Sequence, residues 1–207
     1  MNKTLKCILW MVVLVFIGYK SIYFKKLDSM KAVNAGNFNA AAYAANYLNI
    51  TLPGLMGKAI PVDRLLADLQ SAPQKTFDTY SNALDIGTIR FFWVKGRGRV
   101  VSVNEENVTL QTDSMHAIIN IATEYVFGNA VRDATGLIHI NDFGSTADLN
   151  NISAEINKLI RRQVLPPFKA KAKKGDEIEF SGAVELNSAH LDVAGSEFIP
   201  VSLKIMR

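Results

Sequence analysis

Apolar positions along the chain keep three different spacings, and each predicts a different kind of element. From Cys7 to Tyr19 the residues CILWMVVLVFIGY carry no charge, and an apolar run without a polar face predicts a membrane segment rather than a core helix. From Phe38 the spacing becomes helical: Phe38, Ala41, Ala42, Ala45 and Leu48 share one face, and Pro53-Gly54 is expected to stop that helix. A second helix is expected from Pro61 or Val62, burying Leu65, Leu66 and Leu69. Ser71-Ala72-Pro73 predicts a break, with Ser71 as the N-cap and Pro73 in the first turn of a third helix carrying Phe77, Tyr80 and Leu84.

After Gly87 the period shortens to two. Ile89 to Val94 is aromatic and β-branched and reads as a strand. Lys95-Gly96-Arg97-Gly98-Arg99 is expected to turn the chain into Val100 to Val103, and Asn104 to Asn107 to turn it again into Val108 to Thr112. Ala117 to Ile121 and Leu137 to Ile140 are further strand candidates. Asn150 or Asn151 is expected to cap an amphipathic helix with Ile152, Ile156, Leu159 and Ile160 on one face, ended by Pro166-Pro167. Beyond Gly175-Asp176, Glu177 to Leu186 forms a hairpin in this reading, and Ile199 to Ile205 is the last strand.

Three strands, one helix, then two strands is the order of the OB barrel, a five-stranded Greek-key barrel with a helix between its third and fourth strands. The expected fold class is therefore α+β. It comprises an N-terminal anchor over residues 1–26, a helical segment over 27–87, and an OB-like barrel of five or six strands over 88–207.

The net charge of +4 changes the picture only once it is divided. Lys3, Lys6, Lys20, Lys25 and Lys26 flank the apolar stretch; the 23 basic residues less these five leave 18, against 19 acidic residues that all follow Leu27. The body is near neutral, so the basic excess belongs to the membrane flank, and nucleic acid is not an expected partner. If Lys20 snorkels, Cys7 to Phe24 makes a helix of about 27 Å, close to the thickness of a bilayer core. Gly18-Tyr19-Lys20 is a poor secretory cleavage site, and the one cysteine, Cys7, precedes the apolar run instead of following it. An uncleaved single-pass anchor is therefore expected, with the inner membrane as partner through residues 7–24. Counting lysines on either side does not set its orientation.

Little of the sequence looks chemical. Gly96-Arg97-Gly98 lacks the third glycine and the Lys-Ser/Thr ending of a phosphate loop. His116, His139 and His190 are scattered, the body has no cysteine, and no serine stands in a recognisable nucleophile arrangement, so no metal, no cofactor and no catalytic residue is expected. Lys158 to Lys174 holds seven basic residues and no acidic one. It suits a helix C-terminus and a solvated loop, with contact to anionic lipid headgroups as the functional option. Arg132, Asp133 and Asp142 form a polar group that either holds a ligand or pairs internally, because a guanidinium forks onto any carboxylate.

FNAAAYAANYLNITLPGLMGKA, VKGRGRVVSV and GNAVRDATGLIHINDF together resemble the DUF2291 family of predicted periplasmic lipoproteins. The resemblance covers most of the chain after the anchor and implies a body that faces the periplasm. It also implies companionship with sugar-type ABC transport systems, but no catalytic residues. The expected function is a non-catalytic, membrane-anchored ligand-binding or accessory module, with a structural envelope role through protein contacts as the alternative. Expected partners are a small-molecule ligand and a transporter or envelope protein. The candidate ligand-binding residues are Arg132, Asp133, Asp142, Phe143 and Trp93.

Overall fold

Two proline-bearing helices, each carried past its proline by a π turn, set the helical side of this protein. The computed structural model describes Trp10, Met11 and residues 38–84 and 86–206. Helix α1 (Ala40–Asn46) starts where the Asn39 carboxamide accepts the Ala42 N–H at 2.9 Å. It widens into a π turn over Tyr47–Thr51 and resumes as α2 (Leu52–Gly54). Pro53 therefore does not stop the helix, as the sequence suggested. It falls in the first turn of a new α segment, where its missing N–H is no loss.

After a 3₁₀ turn (Met56–Lys58) and strand β1 (Ile60–Pro61), helices α3 (Val62–Ser71) and α4 (Pro73–Tyr80) follow. Leu65, Leu66, Leu69 and Phe77 are buried as expected. Ser71 does not cap α4: its hydroxyl donates back to the Ala67 carbonyl at 3.0 Å, and Ala72 takes the N-cap position. Leu84 lies beyond the end of α4, because the chain enters strand β2 (Ser81–Asn82) first.

Strand β3 (Ile89–Val103) is continuous through Lys95-Gly96-Arg97-Gly98-Arg99, where the sequence suggested a turn. The two glycines permit close approach instead. A Cβ on Gly96 would meet Val62 Cγ1 at 2.5 Å, and one on Gly98 would meet the Gln111 carbonyl oxygen at 2.5 Å. Strands β4 (Asn107–Thr112) and β5 (Ile118–Ala122) follow, then helix α5 (Ala130–Asp133). Leu137 to Ile140 is not a strand. Gly136, at φ +66°, turns the chain out of α5, and a 3₁₀ turn (Ile140–Asp142) follows in which the Asp142 carboxylate accepts the His139 N–H at 3.0 Å.

Helix α6 (Thr146–Leu159) begins earlier than the asparagines implied. Ser145 caps it by accepting the Asp148 N–H, and Asn150 and Asn151 are exposed within its first turns. A π turn (Ile160–Val164) leads into α7 (Leu165–Lys169), whose first turn holds Pro166. The same device thus passes both proline sites, and Pro166-Pro167 does not end the helical run. Strands β6 (Glu177–Asn187) and β7 (Glu197–Met206) complete the chain.

The barrel closes in the order β3-β4-β5-β7-β6 and back to β3, with β5 and β7 parallel and the other pairs antiparallel. This is the OB topology, with β1 and β2 as extra strands on β3. Period-two alternation along β3 sorts its side chains to two cores. Phe92 and Val94 join Leu110, Ile121, Phe180 and Phe198 in one cluster, together with the leucines of α3. Phe91 and Trp93 join Ala183 and Ile199 in a second cluster, packed against α1, α5 and α6.

Among the described residues no helix is long and apolar enough to cross a membrane. Apart from Trp10 and Met11, the expected anchor lies outside the described residues.

Candidate functional site

The residues singled out in the sequence fall into three separate places. Arg132 and Asp133, in α5, are 5% and 4% exposed and pair with each other: Arg132 Nε and Nη2 donate to the two Asp133 oxygens at 2.5 and 2.8 Å. Arg132 Nη1 donates to the Leu149 carbonyl at 3.1 Å, which ties α5 to α6. A cavity of about 350 Å³ opens beside them, walled by Phe91, Ile140, Thr146 and Leu149.

Asp142 and Phe143 belong elsewhere. The Phe143 ring meets Phe38 and Tyr43 edge-on, with centroids 5.4 and 5.5 Å apart. Burial pushes the Tyr43 phenol pKa up, and the Asp142 carboxylate adds to that shift. Trp93 is buried on β3, and its indole N–H donates to the Leu55 carbonyl at 3.2 Å.

Tyr47 joins the first of these places from below. Its hydroxyl lies 2.7 Å from Thr135 Oγ1 and donates to the Arg132 carbonyl at 3.2 Å. Burial pushes this phenol up to about 12. The result is a clasp between α5, α6 and the π turn that follows α1, with its polar groups largely answered from within the protein.

A second cleft, of about 380 Å³, was not signalled by any motif. It is lined by Met56, Gly57, Lys95, Phe180, Ser181 and Ser202, with Glu179 and Lys204 at its side. Strand pairing builds it. Lys95 of β3 stands opposite Ser181 of β6, and Ser181 opposite Ser202 of β7, so the three side chains share one face as direct neighbours. The Lys95 ammonium donates to the Met56 carbonyl at 3.1 Å. Ser181 is 5% exposed, and its hydroxyl has no hydrogen-bond partner. Leaving such a group unpaired costs about 1–3 kcal/mol. The one sequence signal for this cleft was polar residues at alternate positions of β3, β6 and β7, which becomes a site only once the register is known.

The remaining outer face of the barrel, on β4 and β5, carries polar side chains that bond one another. Thr109 Oγ1 lies 3.1 Å from Asn120 Oδ1, and Asn107 Nδ2 donates to Glu197 at 3.1 Å. Among the described residues no group of three or more His, Cys, Asp or Glu side chains is placed to hold a metal ion.

The family model described as "Predicted periplasmic lipoprotein (DUF2291)" matches residues 12–204. No curated protein matches the chain. Among solved structures, the chain is similar to an OB-fold protein from Thermotoga maritima. The two are 20% identical with a TM-score of 0.74, and the match covers 82% of this chain and 99% of that one. At that identity the likeness speaks for the fold alone, and it agrees with the strand order found here.

Proposed function

The chain belongs to the DUF2291 family of predicted periplasmic lipoproteins, and from that membership we propose that it is a non-catalytic binding module, held at the periplasmic face of the inner membrane and serving as an accessory to sugar-type ABC transport. Its anchor is the apolar segment from Cys7 to Phe24, since no cysteine follows that segment to carry a lipid. The observation that carries the binding role is the Ser181 hydroxyl, buried without a partner at a cleft that Lys95 and Lys204 flank. A volume of about 380 Å³ suits a small molecule.

The same geometry favours binding over nucleophilic chemistry. No base is hydrogen-bonded to Ser181, and the Lys95 ammonium is directed to the Met56 carbonyl. Arg132, Asp133, Asp142, Phe143 and Trp93 then serve the site indirectly. They brace the helical layer, and Trp93 holds Leu55, the residue before the Met56 wall of the cleft.

A second reading, action through protein contacts, is favoured by one feature. Tyr125 and Phe127 are 55% and 66% exposed and stack on each other at 6.3 Å, with the Arg161 guanidinium over Phe127. Exposed aromatics beside an arginine are the composition of interface anchors.

The deciding experiment is a thermal-shift screen of the full chain in an uncharged polyoxyethylene detergent, against sugars, sugar acids, amino acids and inorganic anions. A ligand present at 100 times its dissociation constant adds roughly 2.7 kcal/mol to stability. A hit lost in Ser181→Ala supports the binding role. A silent screen with a cooperatively unfolding protein rejects it in favour of protein contacts.

A further inference from the structure

Pairing register arranges the outer face of β3, β6 and β7 in rows. The first is Trp93, Ala183 and Ile199, apolar and buried under the helical layer. The next is Lys95, Ser181 and Ser202, and the one after it is Arg97, Glu179 and Lys204. The cleft therefore lies where the sheet changes from covered and apolar to open and charged, with Met56 and Gly57 forming its covered edge.

The charges in these rows do not balance. Arg97 bonds Glu179 at 3.4 Å, so the one carboxylate lining the cleft already has a cation. Lys95 gives one N–H to the Met56 carbonyl and has others to offer. Lys204 is exposed and makes no ion pair among the described residues. Two ammonium groups thus remain around a buried hydroxyl that lacks an acceptor.

Resting on the binding role above, we propose that the ligand of this cleft carries an anionic group, a carboxylate or a phosphate, which Lys95 and Lys204 attract and the Ser181 and Ser202 hydroxyls hydrogen-bond. Ligand oxygens answer the orphan hydroxyl, and charge-assisted contacts of this kind are the strong ones. A cation is disfavoured because Glu179 is already engaged by Arg97. The cleft volume, about 380 Å³, admits a sugar acid or a small phosphorylated molecule. A phosphate can arrive on a free solute or on a lipid headgroup.

The test is calorimetric titration of the full chain in uncharged detergent with inorganic phosphate, glucuronate and glucose, repeated with Lys204→Gln and Ser181→Ala. Lys204 is exposed, and alanine is smaller than serine, so both variants retain the fold. Binding of phosphate or glucuronate, weakened tenfold or more by Lys204→Gln and severalfold by Ser181→Ala, supports the proposal. Titration in nanodiscs then separates the sources. Loss of phosphate binding in phosphatidylglycerol discs but not in phosphatidylcholine discs assigns the site to a lipid headgroup, and equal binding in both assigns it to a free solute. If glucose binds as tightly as glucuronate, with loss in Ser181→Ala and none in Lys204→Gln, the anionic class is overturned and the cleft remains a binding site. If no probe binds, or neither variant weakens binding, both the ligand class and the site are overturned.

Discussion

Arg132 grips the carboxylate of its own sequence neighbour, Asp133, through two hydrogen bonds of 2.5 and 2.8 Å, and both side chains are buried. In the sequence an arginine beside an acidic residue reads either as a ligand clamp or as an internal pair. In the fold it is a clasp, because the third contact of the guanidinium goes to the Leu149 carbonyl on the facing helix.

Removing that clasp should cost stability and leave the cleft alone. Arg132→Ala removes the guanidinium that forks onto the buried Asp133 carboxylate, and breaking a buried pair in this way costs about 3–5 kcal/mol. Urea unfolding of the full chain checks the loss. The double change Arg132→Met with Asp133→Leu should recover part of it, since no charge is then left buried. A ligand found for the Ser181 cleft should bind folded Arg132→Ala with unchanged affinity.

Tyr47 gives a pH dependence with a definite sign. Its phenol ionises near 10.0 in an unfolded chain and at about 12 when folded, chiefly because it is buried. The folded state therefore favours the protonated phenol. Its contribution is complete below pH 10 and is lost as pH rises towards 12. The two-unit difference corresponds to about 2–3 kcal/mol over that window. Tyr47→Phe should be less stable at pH 8, having lost the bonds to Thr135 and the Arg132 carbonyl. It should also lose stability less steeply between pH 10 and 12, as denaturant midpoints would show.

Asp63 holds the tip of the β4–β5 hairpin to helix α3. Its carboxylate accepts from Thr112 Oγ1 at 2.6 Å, from the Met115 N–H at 3.0 Å and from the Ser114 N–H at 3.3 Å. Asp63→Ala should cost about 1–3 kcal/mol by leaving partly buried donors unanswered. Faster amide exchange confined to residues 113–116 would identify the released segment.

What was legible in the sequence, and what was not, divides along one physical line. Leu65, Leu66 and Leu69 announce their helix because i, i+3, i+4 spacing is local, and Val108 to Thr112 announces its strand because alternation is local. Those elements pointed to the OB order, although Ile89 to Val103, expected as two strands, is one strand in the fold, and so is Glu177 to Asn187, where a hairpin was expected. Pro53 and Pro166 misled because a π turn, which no local rule predicts, moves each proline to the start of a new helical segment. Leu137 to Ile140 misled because a run of four mostly apolar residues is too short to tell a strand from a loop, and here it lies between the Gly136 turn and a 3₁₀ turn. Of the candidate site residues, Arg132 and Asp133 were rightly seen as interacting polar groups. Ser181 was invisible, since its neighbours Lys95 and Ser202 lie 86 and 21 positions away and meet it only through strand register.

Gly98 tests the close approach of β3 to β4. A methyl group there would sit 2.5 Å from the Gln111 carbonyl oxygen, a backbone atom that cannot swing aside. Gly98→Ala should cost about 1–3 kcal/mol through overcrowding. Gly54→Ala, where a Cβ meets nothing within 4 Å, is the matched control and should be near neutral or slightly stabilising. Thermal melts by circular dichroism compare the two directly.

The most direct test of the account is hydrogen–deuterium exchange of the full chain in nanodiscs, with and without a ligand from the thermal-shift screen. Slower exchange confined to the segments around Met56–Gly57, Lys95, Glu179–Ser181 and Ser202–Lys204 is the predicted result. Protection centred instead on α5 and Leu149, or on β4 and β5, with those four segments unchanged, would contradict the central claim that this cleft is where the protein binds.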